Sequence, residues 1–353
     1  MGENPKVTVT IGGTKIDDSD FQSFVVDRDM NQPDMCAVTA SNQGAKYSNV
    51  KAGDAVEIKV GDNQISIYKG AVIGLEPIYT GGAKTRITIR AMNKFHELLK
   101  KRKSITYQDK NDQQILNQVA GGSGLSLEFK HDKPPDAYKV VYQHNQTDME
   151  FVRTRAARLG CHVWCVDKTL YVKQPDLQSG PIAELKLSES DGDGVIKSFT
   201  PRVGSAHVLK KVTVKGWNPE TKELITGTAE ASGSSLGSQN ASSASGSGGE
   251  EESFTVDHPI WSKQEADAIA KAKLQEASLS FMTGEAHITG DPAMDIGKIV
   301  KIKSNPDTKA STKPADDPFN GKYYIMGLTH QYMPAAKDPF TTVLRLARDA
   351  AKE

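Results

Sequence analysis

The side chains with the most familiar site chemistry lie close together as Cys161-His162-x-x-Cys165. Thiolate and imidazole are metal ligands, and a thiol beside an imidazole can act as a nucleophile. The spacing supports neither use. It lacks the Cys-x-x-Cys of zinc and redox sites and the Cys-x-x-Cys-His order of haem attachment. The flanking residues read as a strand, on which Cys161, Val163 and Cys165 share one face. Four residues of strand put the two cysteine Cα atoms roughly 13 Å apart, too far for a disulfide. Cys36, Cys161 and Cys165 are expected to be reduced, buried and free of metal.

Three other patterns fail on context. Glu189-x-Asp191-x-Asp193-Gly194 opens like a calcium loop, but its twelfth position is Thr200, where a bidentate Glu is required. Gly233-x-Ser235-x-Gly237 matches a nucleophile elbow, which needs a strand before it and a helix after it. Here it lies in Ser/Gly sequence. Lys100-Lys101-Arg102-Lys103, with Lys94, is a basic run that reads as a solvated face or a rim contact in a chain of zero net charge. The sequence contains no His-Glu-x-x-His, Walker loop or dinucleotide fingerprint. No catalytic, cofactor-binding or metal-binding residue is expected, and no enzyme.

Composition narrows the class further. The 353 residues suggest more than one domain. With 44 basic and 44 acidic residues the net charge is zero, unlike a dedicated nucleic-acid binder. No apolar run is long enough to span a bilayer, and the polar start Met1-Gly2-Glu3-Asn4-Pro5-Lys6 has no secretory h-region. Synthesis in the cytoplasm is expected.

The elements follow from periodicity. Val56, Ile58 and Val60 alternate with polar residues, as do Ile65 and Ile67, then Ile87 and Ile89. Short alternating strands and glycine turns at Gly12-Gly13 and Gly81-Gly82 predict small antiparallel barrels. Helical spacing appears in three places. Asn111 or Asp112 caps a helix with Ile115, Leu116 and Val119 that stops at Gly121-Gly122. Thr147 and Glu150 form a capping box before Phe151, Val152, Ala156 and Leu159. Ser262 and Glu265 form another, before Ala266, Ile269, Ala270, Leu274 and Ala277.

A repeat sets the organisation. Gly53-Asp54-Ala55-Val56-Glu57-Ile58-Lys59 and Gly297-Lys298-Ile299-Val300-Lys301-Ile302-Lys303 both read G-x-x-V-x-I-K. Gly74-Leu75-Glu76-Pro77-Ile78-Tyr79 and Gly327-Leu328-Thr329-His330-Gln331-Tyr332 both read G-L-x-x-x-Y, and Thr85–Ala91 then matches Thr341–Ala347. Three matched segments in one order predict two copies of a small β-unit. The expected fold is mainly β with an α+β insertion. Residues 1–93 form the first β-barrel and 94–180 the helix-containing insertion. Residues 181–353 form the second barrel, with a helix near 262–279. Within that part, residues 230–252 are Ser, Gly and Ala with a Glu run, a composition that predicts a mobile loop.

Four segments resemble the phage late control D family: Ala91–Leu98 with the basic run, Tyr142–Phe151, Lys211–Pro219, and Phe319–Tyr324 with Gly327, His330 and Tyr332. Tyr142-Gln143-His144-Asn145-Gln146-Thr147-Asp148-Met149-Glu150-Phe151 is the most specific. That family comprises baseplate hub proteins of contractile tails and contractile injection systems, and the hub part of VgrG-type spikes. The resemblance implies a homotrimeric structural protein with two Tudor-like barrels per chain, adapting a six-fold tail tube to a three-fold spike. Its implied partners are itself, the tube protein, a separate spike protein and baseplate wedge components, with no membrane or specific nucleic acid. The implied location is the baseplate of a virion or of an extracellular or cytoplasmic particle. Strand edges are expected to face the tube. Two alternatives are a tail-associated peptidoglycan hydrolase and a cell-surface or carbohydrate-binding β module presenting Tyr323-Tyr324.

Overall fold

The computed structural model describes residues 5–81, 84–134, 136–187, 195–204, 206, 208–244, 250–256, 258–303 and 317–352. The first part is all strand: β1 (Val7–Ile11), β2 (Thr14–Lys15), β3 (Phe21–Asp29), β4 (Met35–Ser41), β5 (Ala55–Val60), β6 (Ile65–Thr80) and β7 (Lys84–Met92). Alternation decides which way they face. In β5, Val56, Ile58 and Val60 are buried while Glu57 and Lys59 lie between them at the surface. Gly12 and Gly13, both at positive φ, close the two-residue hairpin between β1 and β2, where only a residue without Cβ is comfortable. Gly82 of the second expected glycine turn lies outside the described residues.

The middle part contains β8 (Arg102–Lys110), α1 (Asp112–Gly122), β9 (Ser126–Lys130), β10 (Tyr138–Thr147), α2 (Asp148–Arg158), β11 (His162–Val166) and β12 (Thr169–Lys173). Asn111 and Thr147 cap α1 and α2, each in a reciprocal box with the residue three positions on, Gln114 and Glu150. The two helices and β8 to β12 enclose a cluster that includes Phe95, Ile115, Leu116, Phe151, Val163 and Leu170.

The last part contains β13 (Ala183–Lys186), β14 (Ile196–Val203), β15 (Leu209–Asn218), β16 (Glu223–Glu230), β17 (Gln239–Asn240), α3 (Ala241–Ala244), β18 (Glu250–Thr255), α4 (Lys263–Leu279), β19 (Met282–Thr289), β20 (Ile299–Lys303), β21 (Gly321–Tyr332), β22 (Phe340–Arg348) and β23 (Ala350–Lys352). The cap of α4 differs from the expected box. The Ser262 hydroxyl accepts from the Glu265 N–H, but the Glu265 carboxylate accepts from Trp261 N–H, one residue further out. The hairpin β15–β16 lies on α4, where Val212, Val214, Ile260, Ala266 and Ile269 pack together.

The fold is mainly β, built on one curled 13-stranded sheet. Its path runs β14-β19-β22-β21-β3-β4-β7-β6-β5-β1-β2, with β20 on β21 and β13 on β20. The first part and the last part thus share a sheet, joined where β21 pairs antiparallel with β3.

Residues 230–252 correct the expectation of a mobile loop over their described part. Leu236 is 1% exposed, and the Asp349 carboxylate accepts from Ser234 Oγ, Ser235 N–H and Leu236 N–H at 2.8–3.0 Å. Ser238 N–H donates to Lys352 O, and β17 pairs with β23. The composition is poor in apolar groups, but one leucine and a run of free N–H groups suffice when a buried carboxylate receives them.

Candidate functional site

The residues singled out for chemistry are placed as structure. Cys36, Cys161 and Cys165 are free and buried. Burial pushes the Cys161 and Cys165 thiols up to about 12, and Cys36 further, so none becomes a thiolate near neutrality. His162 turns to the other side of its strand, with Nδ1 3.1 Å from the Tyr324 hydroxyl, and burial pushes its imidazole down to about 4. An inert thiol and a neutral imidazole make no nucleophile. Among the described residues no group of three or more His, Cys, Asp or Glu is arranged to hold a metal ion. Glu189, Asp191, Asp193 and Gly194 lie outside the described residues. Ser235 is engaged by Asp349 through its own N–H rather than exposed on an elbow.

The basic run is largely paired. Lys100 meets Glu97 at 2.8 Å, Arg102 meets Glu150 at 3.2 Å and Lys103 meets Asp148 at 2.5 Å. Tyr323 and Tyr324, expected at the surface for a binding module, are 0% and 2% exposed. A deeper pair was missed by sequence reasoning. Arg155 and Asp112, both buried, meet at 2.6 Å, and the Tyr138 hydroxyl donates to the same carboxylate at 2.5 Å. It joins α1, α2 and β10. Burial raises the Tyr138 phenol well above its usual range. The only signal was Asp112 just after a cap.

The feature with most to offer another molecule is the sheet's edges. At the seam, β21 lies on β3 with Leu328 opposite Arg28, Thr329 opposite Asp27 and Tyr332 opposite Phe24. Arg345 ties this seam from β22: its guanidinium donates to Asp29 at 3.0 Å, Asp27 at 2.9 Å, Arg28 O at 2.8 Å and Thr329 Oγ1 at 3.0 Å. Arg28 is 2.7 Å from Asp295 and 3.2 Å from Asp34. Behind these charges Tyr332 stacks on Phe24, ring centroids 5.7 Å apart.

Two strand edges have no such cover among the described residues. The outer half of β6, from Gly74 to Thr80, pairs with β7 alone. It carries Leu75 at 37% and Tyr79 at 79% exposure. The strand β14 ends the sheet, paired with β19 and bridged once from Leu187 to Ile196. Its Val203 is exposed, and Phe199 is half-buried, edge-on to Tyr323 at 5.6 Å. A cavity of about 520 Å³ opens beside β14, between α4 and β19, lined by His162, Arg202, Gln275, Glu276 and Arg345 among others.

This architecture is shared with solved structures over nearly the whole chain. The tail protein from Neisseria meningitidis MC58 is 14% identical, with TM-score 0.73, covering 99% of this chain and 98% of that one. The 43 kDa tail protein of prophage MuSo2 from Shewanella oneidensis is 14% identical, with TM-score 0.69 and coverage of 99% and 100%. An Escherichia coli component of the type VI secretion system, itself similar in structure to the T4 bacteriophage tail proteins gp27 and gp5, is 11% identical, with TM-score 0.62 and coverage of 96% and 76%. The fold is therefore that of these tail proteins. Residues 3–333 match the family model of the Alg8 N-terminal domain, and the chain belongs to that family. No curated protein sequence matched. Among the described residues no helix is long and apolar enough to cross a membrane.

Proposed function

We propose that this chain is the structural baseplate hub of a contractile tail or injection system, a homotrimer joining a six-fold tube to a three-fold spike. The observation that supports it is the parallel between two strand orders in a chain with the fold of tail proteins. The order β3-β4-β7-β6-β5-β1 runs beside the order β14-β19-β22-β21-β20-β13. Register breaks fall at matching places: Val72/Gly74 in β6 and Ile325/Gly327 in β21, then Phe21/Ser23 in β3 and Ile196/Ser198 in β14. Gly53 N–H donates to Val72 O and Gly297 N–H to Ile325 O, both at 2.9 Å, and both glycines have positive φ. The return bonds, Val72 N–H to Asp54 O and Ile325 N–H to Lys298 O, are both 2.8 Å.

These matches support two copies of one Tudor-like barrel, with Gly53 on Gly297 and Tyr79 on Tyr332. The third segment shifts by one residue from its sequence match: Arg90 lies opposite Gly74 as Arg345 lies opposite Gly327. The outermost strands differ, β1 running antiparallel to β5 and β13 parallel to β20. Apolar clusters centred on Ile58, Phe151 and Ile299 support a division at 1–93, 94–180 and 181–353, with Tyr332 and Phe340 of the last part joining the first cluster and Met30 and Leu177 joining the third. Three such chains carry six barrels, matching a six-fold tube, while the trimer axis matches the spike. The partners are the tube, the spike and other baseplate components, and the role is structural rather than catalytic. Light scattering on the chain, alone and with the particle's spike protein, tests it. The expected mass is three times 38.3 kDa per spike trimer; a chain that stays monomeric with the spike contradicts it.

A further inference from the structure

We infer that the outer half of β6 and the free edge of β14 are the two sides of one interface, β6 of each copy of this chain lying antiparallel to β14 of the next. The number of copies in the ring rests on the hub proposal above; the pairing itself rests on the seam inside the chain. There, β21 shows how the edge of one strand plan is covered by the first strand of the other.

The matched positions differ in exposure in the way this predicts. Leu328 is 0% and Tyr332 6% exposed beneath β3, whereas Leu75 and Tyr79, their counterparts in β6, are 37% and 79% exposed. A side chain that stands open in one place and closed in the other lacks only its cover. The cover at the seam is β3, whose counterpart in the last part is β14. Counting along the strand registers puts Phe199 where β3 has Phe24, and Val203 where β3 has Arg28. The bulges at Phe21/Ser23 and Ile196/Ser198 fall in step, which fixes the count. This edge of β14 is itself uncovered among the described residues.

Laying β14 of a second copy on β6 with the seam's register sets Leu75 opposite Val203, Glu76 opposite Arg202 and Tyr79 opposite Phe199. Each pair is complementary. Tyr79 on Phe199 repeats the stack of Tyr332 on Phe24, and opposite-sign and aromatic cross-strand pairs are the favourable kinds. Glu76, already held by Arg90 at 2.5 and 3.0 Å, then lies between two guanidinium groups.

Pro77 and Pro201 meet on the rung where the seam has His330 and Val26. In the seam's register, where Met30 N–H donates to Met326 O and bonded rungs alternate from there, that rung would carry main-chain bonds; neither proline has an N–H to give, so the bonds form two residues away, at Leu75 with Val203 and at Tyr79 with Phe199. Proline on an edge strand also discourages indiscriminate pairing. Side-chain fit, not a continuous ladder, then selects the partner, and this favours a second copy over the tube. Because β6 and β14 are different surfaces, the contact is head-to-tail and must close into a ring or run on as a filament.

Engineered cysteines test the register. Glu76 and Arg202 fall on a rung without main-chain bonds, where opposed side chains are closest. The double variant E76C/R202C, oxidised in the presence of the spike protein, is expected to lose its monomer band to a covalent trimer on a non-reducing gel. Singly substituted E76C and R202C chains, mixed, should stop at a dimer, and E76C/K197C should stay monomeric. The native cysteines are buried and contribute little background. A separate variant, Tyr79→Lys, should keep its melting temperature and lose assembly. A trimer by light scattering with no E76C/R202C cross-link overturns this pairing and leaves the hub standing, as when the tube occupies these edges. A monomer in every mixture overturns both.

Discussion

Arg345 is the residue on which the two ends of the chain meet. Its fork reaches Asp27, Asp29, the Arg28 carbonyl and Thr329, a set that lysine, with one compact head, cannot match. The network is partly solvated, so Arg345→Lys should destabilise by about 1 kcal/mol, read as a lower urea midpoint at constant slope. Arg155 is more severe. Its removal in Arg155→Met leaves the Asp112 carboxylate buried without its cation, and about 3–5 kcal/mol should be lost. His330 supplies the pH dependence. Burial holds its imidazole neutral, down to about 3, while the unfolded chain takes up a proton near 6.5. Between those values the unfolded state binds more protons, so acidification weakens the fold by about 1.4 kcal/mol per pH unit from this group. His162 acts in the same direction. His330→Gln should flatten the stability profile between pH 6.5 and 5; an unchanged slope would mean the imidazole is not held neutral.

The elements separate what a local pattern can declare from what it cannot. The caps of α1 and α2 needed only residues three apart, and Asn111, Gln114, Thr147 and Glu150 declared them in the sequence. The alternation in β5 likewise named its buried face. The Ser/Gly segment was misjudged because its partner is remote: Asp349 receives Leu236 N–H from 113 residues away. Composition counts apolar side chains and is blind to a distant acceptor. Leu236→Ala should therefore cost about 3 kcal/mol. Cutting out residues 233–238 should lower the melting temperature clearly; a midpoint unchanged within error would restore the mobile-loop view. The seam was hidden in the same way, since the hydroxyl of Thr329 donates to Asp27 across 302 positions. The G-L-x-x-x-Y match marked β6 and β21 as alike, yet nothing local said that one would be covered and the other left open.

At the scale of the molecule, the proposed repeat of one strand plan within a continuous sheet has a consequence for assembly. The step from one plan to the next is already made once, at β3 and β21, and the exposed apolar groups lie where the next step would fall. On that proposal, a chain with one covered and one open copy of an edge is half of a repeating contact, which would account for the exposed Leu75 and Tyr79. The candidate site is an edge that offers main-chain hydrogen bonding and apolar fit. The proposed hub of three copies is measured most directly by the copy number of this chain in purified particles, counted against the tube protein. Three copies per particle, against six tube subunits in the adjoining ring, is the predicted result. Six copies, or particles that assemble without the chain, would contradict it.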